Sequence, residues 1–319
     1  MVKQTPYGNS HAAHGLMFHH FCDAKHPAGQ GAITADQLSD ILDYAGIHRI
    51  LTPAIWAEKA AAGRLDPDDL CLTFDDALLC QIEVAVPVLD ALDLKAFWFV
   101  YSGVFEGSSD NLEIYRHYRT VRFQSVDDFY DAFFATLAQS EYISDFPLIV
   151  SNFSGLDYLR EFSYYSDNDR LFRYLRDMVL GRQTYYKAMD HMIDNDAFYS
   201  RAVASEMLFM KEAHIKDLQA NGHEIGLHSY SHPTLLSGLS PQEQRQEYER
   251  NADHLQKVLG RSSISMAHPC GSYDDGTLSL LRGLGVQIGF IATMALVEDT
   301  LCLPRQDHSY MAMALGMRS

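Results

Sequence analysis

A chain of 319 residues, 47% of them hydrophobic, can bury one large core, and a single domain of residues 1–319 carrying an insertion accounts for it better than two independent domains. A formal charge of −17 repels phosphate polymers and argues against nucleic acid as a partner. No apolar run reaches the roughly 18 residues that a membrane-spanning helix needs, Met1-Val-Lys-Gln-Thr-Pro6 lacks the apolar stretch of a secretory leader, and Cys22, Cys71, Cys80, Cys270 and Cys302 form no Cys-x-x-Cys pair, so reduced thiols and a cytoplasmic protein are expected.

In chain order, Leu16-Met17-Phe18 is a short apolar run, with His19 and His20 where it ends. Leu70-Cys71-Leu72-Thr73-Phe74 predicts a strand that carries Asp75 and Asp76 at its C-terminal tip. The stretch 106–211 reads as mostly helical. Within it, Val126–Ala138 and Asp169–Leu180 space apolar residues at the helical period, and Gly181-Arg-Gln and Asp194-Asn-Asp break the pattern. Its aromatic stripes, including Phe129, Phe133 and Phe134, are commoner in helix cores than in sugar platforms. Gly222–His228 predicts another strand, ending on His228, and Pro233 stops any continuation just beyond His232. Ser263–Ala267 runs into His268-Pro269-Cys270-Gly271, and Thr300–Leu303 runs into Pro304-Arg305-Gln306-Asp307-His308. Four strands thus present titratable groups at one end, which is how active sites are built in α/β barrels.

Asp76, His228 and His232 offer three ligands for a divalent cation and leave a position for water, the catalytic rather than the structural pattern. Asp75, one residue away, is then free to take a proton from the attacking water. Each piece has a plainer reading. Carboxylates after a strand commonly cap a helix, and two histidines four apart are, by themselves, as often packed or exposed as ligating. His19 is equally compatible with packing and a backbone hydrogen bond. Cys270 has no neighbouring base in the sequence and reads as an inert small residue, and His268 as a wall residue in place of an aromatic. The carboxylate pair and the histidine pair occurring together favour the metal.

The order Thr73-Phe-Asp-Asp76, His228-Ser-x-x-His232 and Pro269-x-Gly-x-Tyr273 resembles the polysaccharide deacetylases, the NodB-homology or carbohydrate esterase family 4 enzymes, over about residues 14–105 and 212–310. The resemblance implies an α/β fold, a distorted, incompletely closed (β/α) barrel. It implies hydrolysis of an N-acetyl group from an amino sugar with one divalent metal, most often Zn2+. By the same resemblance Asp75 is the general base, Asp76, His228 and His232 hold the metal, and His19 lies near the site. Departures stand beside these matches. Ala77 replaces the usual glycine, a change with a cost only if the backbone there needs positive φ, and one expected to be tolerated. Ala267-His268-Pro269-Cys270-Gly271 lacks the family's arginine, a charge that Arg305 can supply to Asp75, although Arg305 is equally suited to bind an acidic group of the substrate. The usual Leu-x-His of the general acid is not recognisable, which leaves His308 as the first candidate and His19 as the second.

An unexported member points to a nucleotide-linked, lipid-linked or other glycan precursor as substrate, in the synthesis of a cell-surface polysaccharide. The insertion at 106–211, longer than the family usually carries, is expected to shape the substrate cleft or to join two copies of the chain. Two alternatives stay open in the sequence. One is removal of N-formyl, or cleavage of another non-peptide C–N bond, on the same fold; the other is a catalytically silent metal- or sugar-binding protein.

Overall fold

The computed structural model describes residues 12–107, 111–143, 145–153, 157–160, 162 and 165–317. The chain divides into two compact units, Met1–Asp110 with Met207–Ser319, and Asn111–Glu206.

The first unit is built on seven parallel strands: β1 (His14–Phe18), β2 (Leu70–Asp75), β3 (Phe97–Val100), β4 (Glu224–Leu227), β5 (Ser265–Ala267), β6 (Ile288–Phe290) and β7 (Arg305–Asp307), in the order β6-β5-β4-β3-β2-β1-β7. Register is fixed by pairs such as Phe18 with Phe74, Asp75 with Phe99, Val100 with Leu227, and Met17 with Asp307. Every residue of β1, β2 and β3 is buried, which is why these strands read as unbroken apolar runs rather than alternating ones. The two edges nearly close. Leu303 N–H donates to the Gly289 carbonyl at 2.9 Å and Ile291 N–H to the Leu303 carbonyl at 3.0 Å, so the sheet is the nearly closed (β/α) barrel expected of a polysaccharide deacetylase. The seam is tight because residue 289 is glycine: a Cβ there would sit 2.3 Å from the Leu301 carbonyl oxygen.

Helices α1 (Ala35–Ala45), α2 (Pro53–Ala61) and α3 (Val86–Ala91) belong to this unit. The second unit holds α4 (Asn111–Arg122), α5 (Val126–Ala138), α6 (Phe146–Asn152), α7 (Asp167–Tyr174), α8 (Gly181–Asp194) and most of α9 (Arg201–Leu208). The barrel then resumes with α10 (Glu212–Ala220), α11 (Pro241–Leu259), α12 (Asp275–Gly283) and α13 (His308–Ala314). α11 shows how local chemistry fixes boundaries. Ser240 and Glu243 form a reciprocal capping box, Pro241 takes the first turn, and Gly260 ends the helix in the left-handed conformation.

In the second unit Phe129, Phe133, Phe172 and Tyr185 are buried, with ring centroids of Phe172 5.1 to 6.0 Å from the other three. The aromatic stripe of α5 is therefore that unit's core. Gly181, at φ +65°, and Asn195 mark the two helix breaks.

One strand differs from its sequence reading. The apolar run Thr300–Leu303 is a turn, because Asp299 takes hydrogen bonds from Leu301 N–H at its side chain and from Cys302 N–H at its carbonyl, both 2.9 Å. Leu301 and Cys302 are buried beneath that turn. The strand begins two residues later, so Arg305, Gln306 and Asp307 lie within β7 and His308 opens α13.

Candidate metal centre

β2 points Thr73 and Asp75 to the same side of the strand, and Arg305 on β7 meets both. Its Nη1 donates to Asp75 Oδ1 at 2.7 Å and to Thr73 Oγ1 at 3.3 Å, while Nε donates to the Ile291 carbonyl at 2.9 Å. Arg305 is 1% and Asp75 2% exposed, so this is a buried ion pair inside the barrel. Burial pushes the Asp75 carboxyl up, but the charges of Arg305, His228 and His19 outweigh it and hold the group below the usual carboxylate range. Gln81 Nε2 donates to the Asp75 carbonyl at 2.6 Å and to the His19 carbonyl at 2.8 Å, pinning the ends of β1 and β2 together.

Neighbouring carboxylates face different partners because the backbone turns between them. Asp76 and Ala77 have φ of +78° and +53°. The turn is held by Asp76 N–H on the Phe99 carbonyl at 3.1 Å and by Met210 N–H on the Ala77 carbonyl at 2.8 Å. Alanine thus occupies a left-handed position where the family's glycine would sit without strain, at a cost of about 1–2 kcal/mol.

Beyond the turn, Asp76 Oδ1 lies 3.4 Å from His228 Nε2 and 3.3 Å from His232 Nε2. His228 follows β4 directly, and its Nδ1 is 2.8 Å from the Ala267 carbonyl. A carbonyl only accepts, so Nδ1 carries the proton and Nε2 presents a lone pair in the neutral ring. The Asp76, His228 and His232 ligand atoms all lie within 4.8 Å of one another. Asp76 Oδ1 is buried without a hydrogen-bond partner. The residues fit a small divalent cation: ligands at about 2.0–2.1 Å in tetrahedral array are roughly 3.3–3.4 Å apart, the separation of Asp76 from each histidine. Electrostatics agree. Burial pushes His228 down, but Asp75 and Asp76 raise it above the ordinary imidazole value, and the field that draws a proton there draws a cation equally.

The remaining sequence candidates divide. His19, just past β1, has Nε2 3.7 Å from Asp75 Oδ2 and a side chain 26% exposed, so it joins the cluster with access to solvent. His308 is placed elsewhere: it is buried, its ring stacks on Phe18 at 5.6 Å, and its Nε2 is 3.0 Å from the Gly31 carbonyl. His268 is a wall residue, buried, stacked on Tyr273 at 4.5 Å and bonded through Nε2 to the Leu301 carbonyl at 3.0 Å; burial pushes its imidazole down to about 4. Cys270 is exposed, with φ +50°. Sequence reasoning missed Gln81, whose signal was a single amide inside the apolar run Leu78-Leu79-Cys80-Gln81-Ile82.

A parallel barrel whose strand ends gather two carboxylates, two metal-spaced histidines and a buried arginine has the architecture of the (β/α)-barrel deacetylases. The family model described as polysaccharide deacetylase matches residues 182–289, the part that carries His228 and His232. Similar solved structures include the Streptococcus pyogenes deacetylase PplD in complex with acetate, 17% identical with a TM-score of 0.55 over 96% of this chain and 98% of that one. IcaB from Ammonifex degensii is 18% identical, TM-score 0.55, over 95% and 96%. A de-N-acetylase from Aggregatibacter actinomycetemcomitans is 12% identical, TM-score 0.53, over 93% and 95%. At such identities these likenesses show the fold. No curated protein sequence matches the chain. The family match covers about a third of the chain, and the solved structures share its barrel fold.

Proposed function

We propose that the chain is a metal-dependent carbohydrate N-deacetylase, a hydrolase that removes an acetyl group from the nitrogen of an amino sugar. The observation that carries this reading is the buried Asp76 Oδ1 set 3.4 Å from His228 Nε2 and 3.3 Å from His232 Nε2, with the Arg305-bound carboxylate of Asp75 beside it. The reaction breaks the acetamide C–N bond with water and yields acetate and a free amine. Asp76, His228 and His232 would hold the cation, proposed as Zn2+ on the resemblance to the deacetylases, which would supply Lewis acidity toward the carbonyl oxygen when bound. Asp75, kept ionised by Arg305, accepts the proton of the attacking water. The leaving nitrogen takes a proton from His19, which is preferred to His308 because His19 lies 3.7 Å from Asp75 whereas Nε2 of His308 already donates to Gly31.

A glycan precursor inside the cell is the proposed substrate, nucleotide-linked or lipid-linked. Among the described residues no helix is long and apolar enough to cross a membrane. The insertion is proposed to recognise the part of the substrate beyond the acetamido sugar, or to join a second copy of the chain.

The test is release of acetate or formate from a panel of nucleotide-linked and lipid-linked N-acyl amino sugars by zinc-loaded protein. Acetate supports the reading. Formate alone moves the chain to deformylation, and a metal-loaded protein that releases neither from any substrate is a binding protein.

A further inference from the structure

Residues 228–232 adopt a conformation that their own sequence disfavours. Ser229 and His232 have φ of +64° and +50°, each a strain of roughly 1 kcal/mol or more, and such strain persists only where the surroundings over-determine the backbone. The over-determining contacts come from one face of α11. Glu247, Asn251 and His254 are spaced four and three residues apart and so lie in one row along the helix. Glu247 Oε2 accepts from Tyr230 N–H at 2.9 Å and Ser231 N–H at 2.7 Å, and its Oε1 accepts from the Ser231 hydroxyl at 2.6 Å. One turn on, Asn251 Oδ1 accepts from His228 N–H at 2.9 Å, and its Nδ2 donates to the Val100 carbonyl at 2.9 Å and to Ser102 Oγ at 2.6 Å. Ser102 Oγ is also 2.9 Å from His254 Nδ1, and His254 Nε2 is 3.2 Å from Glu212 Oε1. On the other side of the loop, Gly103 N–H holds the Tyr230 carbonyl at 2.8 Å, and His232 N–H is held by Ser229 Oγ at 3.1 Å.

We infer that Glu247 and Asn251 form a clamp on α11 that fixes the loop bearing both histidines, and that they are positioning residues for cation capture, contributing no ligand themselves. A helix is a rigid support, and partners that orient metal ligands are typically worth about 10- to 100-fold in affinity. Asn251 sets the amide of the first histidine. Glu247 sets the amides of Tyr230 and Ser231, and with them the direction in which His232 leaves the turn. The inference rests on the metal reading above.

The experiment uses the full chain and two readouts, Zn2+ affinity by competition with a chromophoric chelator and the visible spectrum of Co2+-loaded protein. Glu247→Ala is expected to weaken Zn2+ binding by about 10- to 100-fold and to shift the Co2+ bands. Glu247→Gln, which keeps an acceptor for the loop amides, should recover most of the affinity. Glu249→Ala, on the same helix but paired with Arg245 at the surface, should leave it unchanged. Asn251→Asp retains the acceptor for His228 N–H and loses the donors to Val100 and Ser102. It gives a second comparison should Glu247→Ala fail to fold, with an expected weakening of several-fold. Unchanged affinity and an unchanged Co2+ spectrum in folded Glu247→Ala and Asn251→Asp would overturn the clamp, even if both unfold more easily. Asp76→Ala separates the two levels: full Zn2+ affinity in that variant removes the metal reading itself, and the inference with it, whereas lost affinity there with no effect at Glu247 and Asn251 removes only the clamp.

Discussion

Replacing Arg305 by Met keeps most of the side-chain volume and deletes the charge that faces Asp75. Because Arg305 is 1% and Asp75 2% exposed, water cannot take the place of the missing partner. The unpaired buried carboxylate should cost about 3–5 kcal/mol, the usual penalty for breaking a buried ion pair from one side. Three hydrogen bonds go with the guanidinium, to Ile291, Thr73 and Asp75. The aliphatic stem would stay, resting on Gly15, where a Cβ would come within 3.2 Å of Arg305 Cγ. Removing both charges, in Arg305→Met with Asp75→Asn, leaves no stranded ion, so the double variant should be more stable than the sum of the singles by roughly 1.5–3 kcal/mol. Urea unfolding followed by tryptophan fluorescence is the assay. The chain has two tryptophans, Trp56 and Trp98, and both are buried in the barrel unit, so the signal reports on the barrel. At an m-value of about 3 kcal/mol/M the single Arg305 variant should lose about 1 M or more in midpoint. Single-variant losses that simply add, with no coupling, would refute the claim that Arg305 and Asp75 stabilise one another.

Three further outcomes follow from particular positions. Ala77→Gly relieves a left-handed alanine and should raise the unfolding midpoint by the equivalent of about 0.5–1 kcal/mol; a loss of stability would mean that Ala77 is not strained. His223 is buried, accepts the Ala96 N–H at Nδ1 at 3.1 Å, and is pushed by burial and by Lys95 down to about 4. Its folded value lies below the ordinary 6.5, so the stability that goes with the neutral ring is complete above pH 6.5 and lost as pH falls toward 4. Wild-type stability should therefore decline across that window, and His223→Gln should flatten the decline by an amount on the order of 3 kcal/mol; an equally steep acid limb in the variant would contradict the assignment. Phe172→Ala removes the ring that touches Phe129, Phe133 and Tyr185, and should destabilise the helical unit by about 3–5 kcal/mol, read from helical circular dichroism on heating.

Much of the barrel was legible, as was the meeting of Asp76, His228 and His232, because the informative residues lie at strand ends. Leu70–Phe74 is an apolar run that stops at two carboxylates, and a parallel strand buried on both faces has that look. α5 was equally legible, since its helical apolar spacing and the Ser125 cap coincide. What the sequence hid depends on tertiary partners. Thr300–Leu303 has strand composition, but Asp299 captures two of its amides and bends it. His308 follows Asp307 much as an active-site histidine might, yet the Gly31 carbonyl, 277 residues away in the chain, takes its Nε2. Glu247, Asn251 and His254 sit in a helix rich in Gln, Glu and Arg, where a solvated surface and a polar clamp have the same composition. Only the packing of α11 against the histidine loop tells them apart.

The measurement closest to the central claim is bound metal, determined by elemental analysis, together with acetate release, in wild type, Asp75→Asn and Asp76→Asn. Asp76 is proposed as a ligand and Asp75 as the base, so the two substitutions should separate. Wild type should hold about one divalent cation per chain, as the three ligands require. Asp75→Asn should keep that cation and turn over about a hundred-fold or more slowly, while Asp76→Asn should lose most of it. A cation retained in full by Asp76→Asn, or two variants alike in both metal content and rate, would contradict the account.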